Sequence, residues 1–190
     1  AFLIKLDICR VHPELITVES IDEMRKIALE TIDNIHLVIK DLRPSILDDL
    51  GLDASIMWLL KNHLQEKGIH YYLDIESPLM GRLPSEVEIA IFRILQEAIM
   101  NIARHANAES VFVTLDAGVH YLLLIVEDDG DGFDVEELMR NPIENGRGLG
   151  IIGMKERASL IGAILQIHAV KGEGTRMCLQ VPMMKQVEHV

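Results

Sequence analysis

The 190-residue sequence contains few cysteines, few aromatic residues and no long apolar run. Only Cys9 and Cys178 are present, far apart along the chain, and a secreted fold held by several disulfides normally has more cysteines at recurring spacings. Two free thiols in a reducing cytosol are the simpler interpretation. No apolar run approaches the ~20 residues that a membrane-spanning helix needs. Aromatic residues make up 4% of the chain, so aliphatic residues and Met must fill its core.

Basic residues are also scarce, with 18 Lys and Arg against 30 Asp and Glu and a formal net charge of −12. Such a surface repels nucleic acid unless it carries a basic patch, and the sequence has no cluster of Lys and Arg. We therefore expect no nucleic-acid binding. The hydrophobic fraction of 49% is typical of a globular chain. The chain begins at Ala1 without Met or a signal peptide, and we expect it to be a piece of a longer protein.

Residues 1–43 predict a partial helical hairpin. Apolar side chains recur every three or four positions between Val18 and Leu42, which makes a seam for packing against other helices. A two-helix hairpin is too thin to bury such a seam, which favours a homodimer with a four-helix bundle. A helix packed on its own domain remains the alternative. Residues 44–52, which start with Pro44, form a connector to a second domain at 53–190.

The second domain changes from helical periodicity to alternating helices and strands. Its predicted helices lie at about 53–67, 85–105, 135–139 and 151–161, and its predicted strands at about 69–75, 110–116, 121–127, 164–169 and 175–181. Four stretches within this domain have polar residues or glycines at positions where an ordinary hydrophobic core would have apolar side chains.

The first stretch lies on the helix predicted at 85–105. Glu97, Asn101 and His105 are spaced by four residues, so they share one helix face. Carboxylate and amide oxygens on one stripe suit Mg²⁺, which prefers oxygen ligands. Arg104 and His105 could reach phosphate oxygens. A solvated helix face is the alternative.

The second stretch is the acidic run from Glu127 to Phe133, directly after an apolar strand. Gly130 and Gly132 let the backbone turn sharply and let a ligand approach closely. An Asp at the end of the strand could accept a hydrogen bond from the exocyclic amine of adenine. An acidic turn is the alternative, whereas an EF-hand would need a Glu at its twelfth position and flanking helices.

The third stretch, Asn145 to Met154, has glycines at alternate positions 146, 148 and 150 at the start of a helix. Exposed backbone N–H groups and the helix dipole would form an anion site there, although a flexible hinge is an alternative. No strand immediately precedes this stretch, so it is not a Rossmann fingerprint, and it lacks the Gly-Lys-Ser/Thr of a Walker loop. The fourth stretch, Gly172 to Thr175, indicates by itself no more than a hairpin turn.

Together and in this order, the four stretches resemble the N, G1, G2 and G3 boxes of the GHKL ATPase superfamily. That superfamily includes histidine kinases, Hsp90-type chaperones, type II topoisomerases and MutL-type repair proteins. The run Leu42–Leu52, which contains the connector, and the run Gly153–Ala158 resemble the histidine kinases with a HisKA_3 type of dimerisation domain. This group includes nitrate/nitrite sensors and DesK- and LiaS-like kinases.

The resemblance implies an α+β fold of the GHKL (Bergerat) type, a mixed sheet covered on one face by helices, with ATP and Mg²⁺ bound beside a mobile lid at about 139–146. It implies that Asn101 and Glu97 hold the metal and that catalysis involves Glu97, Asn101, Arg104 and His105. The cofactor-binding residues that it implies are Asp128, Gly130, Gly132, Gly146, Gly148, Leu149, Gly150 and Thr175.

The function that the resemblance implies is transfer of the ATP γ-phosphoryl group to a histidine and then to an aspartate of a response regulator. The family's acceptor is a His followed by Asp or Glu, which neither His12 nor His36 matches, so we expect the acceptor upstream of this chain. We expect a cytoplasmic location, with membrane contact only through an N-terminal part of the parent protein.

Two other functions remain open. One is a non-catalytic dimerisation module with a vestigial ATP site, which the intact polar residues of all four boxes disfavour. The other is a different GHKL ATPase, such as an anti-sigma-factor serine kinase, which the connector and the helical hairpin disfavour.

Overall fold

The computed structural model describes residues 45–79, 81–140 and 148–183, together with the single positions 17, 21 and 25. Two compact units divide the chain, Ala1–Pro44 and Ser45–Val190. In the first unit, Ile21 is helical and its backbone N–H donates to the Thr17 carbonyl at 3.1 Å. The rest of the hairpin predicted at 1–43 lies outside the described residues, and so do residues 141–146 of the predicted lid.

The second unit contains four α-helices and five strands within the described ranges. The helices are α1 (Ser45–Leu64), α2 (Ser85–Asn101), α3 (Val135–Arg140) and α4 (Gly148–Leu160), and the strands are β1 (His70–Ser77), β2 (Ser110–Ala117), β3 (Tyr121–Asp128), β4 (Ile164–Val170) and β5 (Gly174–Pro182). A 3₁₀ turn, Gln65–Lys67, follows α1, and a π-helical turn, Ile102–Ala106, follows α2. Among these helices, none is both long enough and apolar enough to cross a membrane.

The strands form one sheet in the order β1-β2-β3-β5-β4. β1 and β2 pair in parallel, and the other three pairs are antiparallel. A parallel pair needs a long crossover, which α2 and the π-helical turn provide between β1 and β2. The mixed sheet confirms the predicted fold class.

One face of the sheet is covered and the other is open. Side chains of β2, β3 and β5 alternate between buried and partly exposed positions, because neighbouring residues of a strand point to opposite faces. The buried side chains pack with those of α1, α2 and α4 in one apolar core. On the open face, the rings of Tyr72 and Phe112 stack with their centroids 4.8 Å apart.

α1 contains a sharp break at Gly51, whose φ of 79° and ψ of −179° are not helical. Residues 45–50 before the break are helical as well, so the helix starts at Ser45 rather than at about residue 53. Arg82 holds this first piece in place. Its guanidinium donates to the Leu47 carbonyl at 2.8 Å and to the carboxylate of the buried Glu88 at 2.7 Å.

Candidate functional site

A cavity of about 320 Å³ lies between the end of α2, the start of α4 and one end of the sheet. Pockets that bind small molecules span about 300–1,000 Å³ and combine an apolar lining with a few polar groups. The cavity follows this pattern. It is lined by Ala98, Asn101, Ile102, His105, Ala106, Val126, Asp128, Gly132, Phe133, Asp134, Glu137, Leu138, Ile151, Met154, Ile167, Lys171, Thr175 and Met177.

The four acids at and just beyond the end of β3 have four different environments. Glu127 points to the open face of the sheet, where it forms an ion pair with Arg176 at 3.0 Å. Asp129 accepts hydrogen bonds from the backbone N–H groups of Glu109 and Ser110 at 2.8 and 2.9 Å, which lower its pKa. Asp131 accepts one from the side-chain amide of Asn107 at 2.7 Å. Only Asp128 of the four lines the cavity.

Asp128 is 7% exposed, and burial raises the pKa of its carboxyl above the ordinary value of 3.8. The backbone N–H of Gly130, 2.9 Å from Oδ1, and the hydroxyl of Thr175 hydrogen-bond the carboxylate and oppose that rise. The backbone N–H of Thr175 donates to it as well. A carboxylate with four lone-pair positions keeps acceptor capacity beyond these three bonds. Asp128 is therefore placed to accept a hydrogen bond from a ligand in the cavity.

The loops around Asp128 pack with almost no space between their backbones. Gly132 has a φ of 56°, and a Cβ at this position would overlap the carbonyl oxygen of Val170. Gly130 lies in the same way against the carbonyl of Ala106. These close approaches keep the end of β3 beside the turn that leads into β5, where Thr175 lies.

Asn101 and His105 both line the cavity, as their four-residue spacing predicts, whereas Glu97, the third residue of the predicted stripe, is not among its lining residues. The α-helix ends at Asn101, however, and residues 102–106 form the π-helical turn, a conformation that is frequent at functional sites. The carbonyl of Ala103 accepts a hydrogen bond from Lys67. Arg104 is exposed and does not line the cavity.

Glu97 lies one turn before Asn101, against the start of α4. A Cβ at Gly150 would overlap Oε1 of Glu97 and would lie 3.5 Å from Nδ2 of Asn101. α4 begins at Gly148, three residues before the predicted start, so Gly148, Leu149 and Gly150 form its first turn. Gly148 is buried and Leu149 is 57% exposed. Gly146 lies outside the described residues.

Within the described residues, no three His, Cys, Asp or Glu side chains are grouped so that they could hold a metal ion. The described residues therefore do not suit a metal ion that is held by protein ligands alone. They do suit Mg²⁺, which keeps several waters and uses one or two protein oxygens together with substrate phosphates. Asn101 and Glu97 offer an amide and a carboxylate oxygen beside the first turn of α4.

The sequence interpretation missed several lining residues, among them Phe133, Asp134, Glu137 and Lys171. Asp134 caps α3, because its Oδ1 accepts the N–H of Glu137 at 2.9 Å. An Asp three residues before a Glu at a helix start is a recognisable capping pattern, and it could have located this wall of the cavity. No local sequence pattern could have identified Lys171, because its partner Glu137 lies 34 residues away.

Comparison with known proteins adds a family match and several relatives. Residues 86–185 match the family of histidine kinase-, DNA gyrase B-, and HSP90-like ATPases. The signal transduction histidine-protein kinase/phosphatase DegS of Brevibacillus brevis is 31% identical over 166 residues, which cover 87% of this chain and 41% of DegS. The oxygen sensor histidine kinase NreB of Staphylococcus carnosus is 34% identical over 154 residues, which cover 80% of this chain and 42% of NreB.

This chain thus spans about two fifths of the length of these relatives. Among solved structures, the histidine kinase AdeS of Acinetobacter baumannii superposes with a TM-score of 0.62 at 16% identity. The superposition covers 96% of this chain and 93% of AdeS. At that identity, the similarity to AdeS supports the fold alone.

Proposed function

Because the chain belongs to the family of histidine kinase-, DNA gyrase B-, and HSP90-like ATPases, we propose that it is the ATP-binding catalytic part of a two-component sensor histidine kinase. The observation that carries this proposal is the buried carboxylate of Asp128 in a cavity that is also lined by Asn101. The names of the relatives DegS and NreB, both histidine kinases, support the choice within the family.

The adenine base would lie at the Asp128 side of the cavity. Asp128 would accept a hydrogen bond from the exocyclic amine of adenine, and the hydroxyl of Thr175, which already contacts that carboxylate, would assist. Gly132, which lines the cavity without a side chain, would leave room for the base. Guanine has a carbonyl oxygen where adenine has this amine, so the carboxylate would disfavour it.

The phosphates would lie toward the end of α2 and the start of α4. Asn101 would offer its amide oxygen to Mg²⁺, and Glu97 would bind the ion or its water shell. The bound metal would neutralise charge on the phosphates.

His105 lines this part of the cavity, and Arg104 is close in sequence on the π-helical turn, so both are proposed to meet phosphate oxygens. The first turn of α4, with Gly148, Leu149 and Gly150, would add backbone N–H groups, and Gly146 would border the lid.

In the proposed reaction, the γ-phosphoryl group passes to a histidine in another part of the kinase and from there to an aspartate of a response regulator. Positioning and charge neutralisation supply most of the acceleration in phosphoryl transfer. Residues 1–43 are proposed to pair with a second copy as a dimerisation hairpin, and the kinase is proposed to act in the cytoplasm. The kinase names of DegS and NreB support a response regulator as the partner.

The proposal is tested by calorimetric titration of the chain with ATP or a non-hydrolysable analogue, with and without Mg²⁺. We expect adenine-selective binding in the micromolar range that depends on Mg²⁺. A folded chain that binds no nucleotide would contradict the proposal and leave a regulatory module as the better interpretation. Steady ATP hydrolysis without any acceptor domain would instead favour a different ATPase of the family.

A further inference from the structure

An ion pair at the rim of the cavity has no part in the roles proposed above. Glu137 lies on α3 and Lys171 lies in the turn between β4 and β5, and both line the cavity. Nζ of Lys171 is 3.3 Å from Oε2 of Glu137, and the two side chains are 70% and 72% exposed. The pair therefore connects two lining elements on the solvent side of the cavity.

The turn that carries Lys171 is held firmly on the side of the sheet. The backbone N–H of Gly172 donates to the carbonyl of Asp131 at 2.7 Å, and the N–H of Glu173 donates to the carbonyl of Val170 at 3.0 Å. The N–H of Asp131 donates in turn to the carbonyl of Ala106 at 2.7 Å. Lys171 is thus anchored to the same loop that positions Asp128.

α3, on the other side of the pair, is attached much less firmly. It has only six residues, and a helix this short is not stable by itself in water. Asp134 caps its first turn, and the partly buried Leu138 packs on the core. Among the described elements, α3 makes its main contacts with β4. An ion pair with the neighbouring turn would therefore help to fix the position of α3.

We propose that Glu137 and Lys171 are positioning residues, which hold α3 as the outer wall of the nucleotide cavity and so prolong the residence of ATP. The inference rests on the proposed function, since it takes ATP as the occupant of the cavity. Changes in the contacts that hold a bound ligand act mostly on its dissociation rate, so we expect the association rate to change little. Exposed ion pairs contribute little free energy, so we expect an about two- to fivefold effect.

The decisive variant is the double substitution Glu137→Gln with Lys171→Met, because it removes the ion pair and leaves the net charge unchanged. The measurement is stopped-flow displacement of an ATP analogue labelled with a fluorophore on its terminal phosphate, chased with excess ATP in Mg²⁺. We expect the double variant to release the analogue about two to five times faster than the parent chain. The exchanged pair, Glu137→Lys with Lys171→Glu, is expected to restore the parent rate.

Two controls separate the loss of this ion pair from other effects of the substitutions on the dissociation rate. Glu173→Gln removes an exposed carboxylate from the same turn as Lys171, and it is expected to leave the dissociation rate unchanged. Glu127→Gln with Arg176→Met removes an exposed ion pair from the open face of the sheet, and it is also expected to have no effect.

Three outcomes would overturn the inference while the proposed function stands. The double variant could release the analogue at the parent rate, or the exchanged pair could fail to restore that rate. The two single substitutions could also shift affinity in opposite directions and cancel in the double variant, which would indicate an effect of charge alone. If the parent chain bound no nucleotide, the proposed function and this inference would both fall.

Discussion

Gly150, in the first turn of α4, lies directly against the carboxylate of Glu97 on α2, so that a Cβ at position 150 would overlap Oε1 of Glu97. The glycine thus leaves room for the Glu97 carboxylate beside the first turn of α4. The two groups proposed for Mg²⁺, on Glu97 and Asn101, both lie beside this turn of α4.

Gly150→Ala tests this contact. The added methyl group would displace the Glu97 carboxylate from its place beside the first turn of α4. We expect affinity for Mg²⁺–ATP to fall about tenfold, which corresponds to ~1.4 kcal/mol, as measured by titration calorimetry. Gly153→Ala is the matched control in the same helix, because its Cβ would meet only the flexible end of Arg157, at 3.1 Å. That control should raise stability by about 0.5–1 kcal/mol without changing affinity. Parent-like affinity in Gly150→Ala would contradict the role of the contact.

Asp128→Asn is expected to separate affinity from stability. The neutral amide keeps an oxygen for the N–H of Gly130 but loses the charged acceptor for adenine, so ATP binding should weaken by about 1–3 kcal/mol. Because burial disfavours the charged carboxylate, the melting temperature of the variant should equal or exceed that of the parent. Calorimetry with ATP and GTP, together with thermal unfolding, checks both parts. An equal loss of affinity for ATP and GTP would rule out the adenine contact.

The raised pKa of Asp128 also predicts a pH dependence. Between the ordinary value of 3.8 and the raised value, the folded chain holds a proton on Asp128 that the unfolded chain has released. This group's contribution to stability therefore increases as the pH falls through its raised pKa, while ATP affinity decreases because the acceptor becomes protonated. Both changes should be absent in Asp128→Asn. Dissociation constants and unfolding free energies measured across acidic pH for the two chains check this. Identical pH profiles for both chains would contradict it.

Asn101→Ala is expected to abolish Mg²⁺-dependent nucleotide binding and to leave the fold intact, since the side chain lines the cavity and is only partly buried. Asn62→Ala is a suitable control. Asn62 also lies on a helix, where its amide donates to the carbonyl of Trp58 at 2.8 Å, and it does not line the cavity. ATP titrations at several Mg²⁺ concentrations make the comparison. Unchanged Mg²⁺ dependence in Asn101→Ala would remove this residue from the metal site.

Arg82→Met is expected to lower the unfolding free energy by about 2 kcal/mol. Breaking a buried ion pair costs ~3–5 kcal/mol because the remaining charge is left without a partner, and the half-exposed Arg82 reduces that cost. Arg176→Met breaks an exposed pair and should cost about 0.5 kcal/mol or less. Urea denaturation of both variants gives the comparison. A loss in Arg82→Met as small as that in Arg176→Met would show that Glu88 does not need its partner.

Much of the fold could be predicted from local sequence patterns. The strand predicted at 121–127 is observed as Tyr121–Asp128, because a short run dominated by aliphatic and β-branched residues is a property of the local sequence. Helix ends were predicted less well. α4 starts three residues early, at Gly148, because packing against α2 outweighs the low helix propensity of glycine. Residues 45–50 are helical although they precede Gly51, and there Arg82 supplies a contact that no local pattern indicates.

By itself, the sequence determined which residues share a face and where polar groups interrupt the apolar pattern, because helix and strand periods act over two to four residues. Asn101 and His105 therefore meet the cavity together, as their spacing predicts. Only the tertiary structure decided which acid near the end of β3 is buried and that Lys171 pairs with Glu137. The environment of a charge depends on partners brought together by packing, and those partners lie 34 residues apart in the case of Lys171 and Glu137.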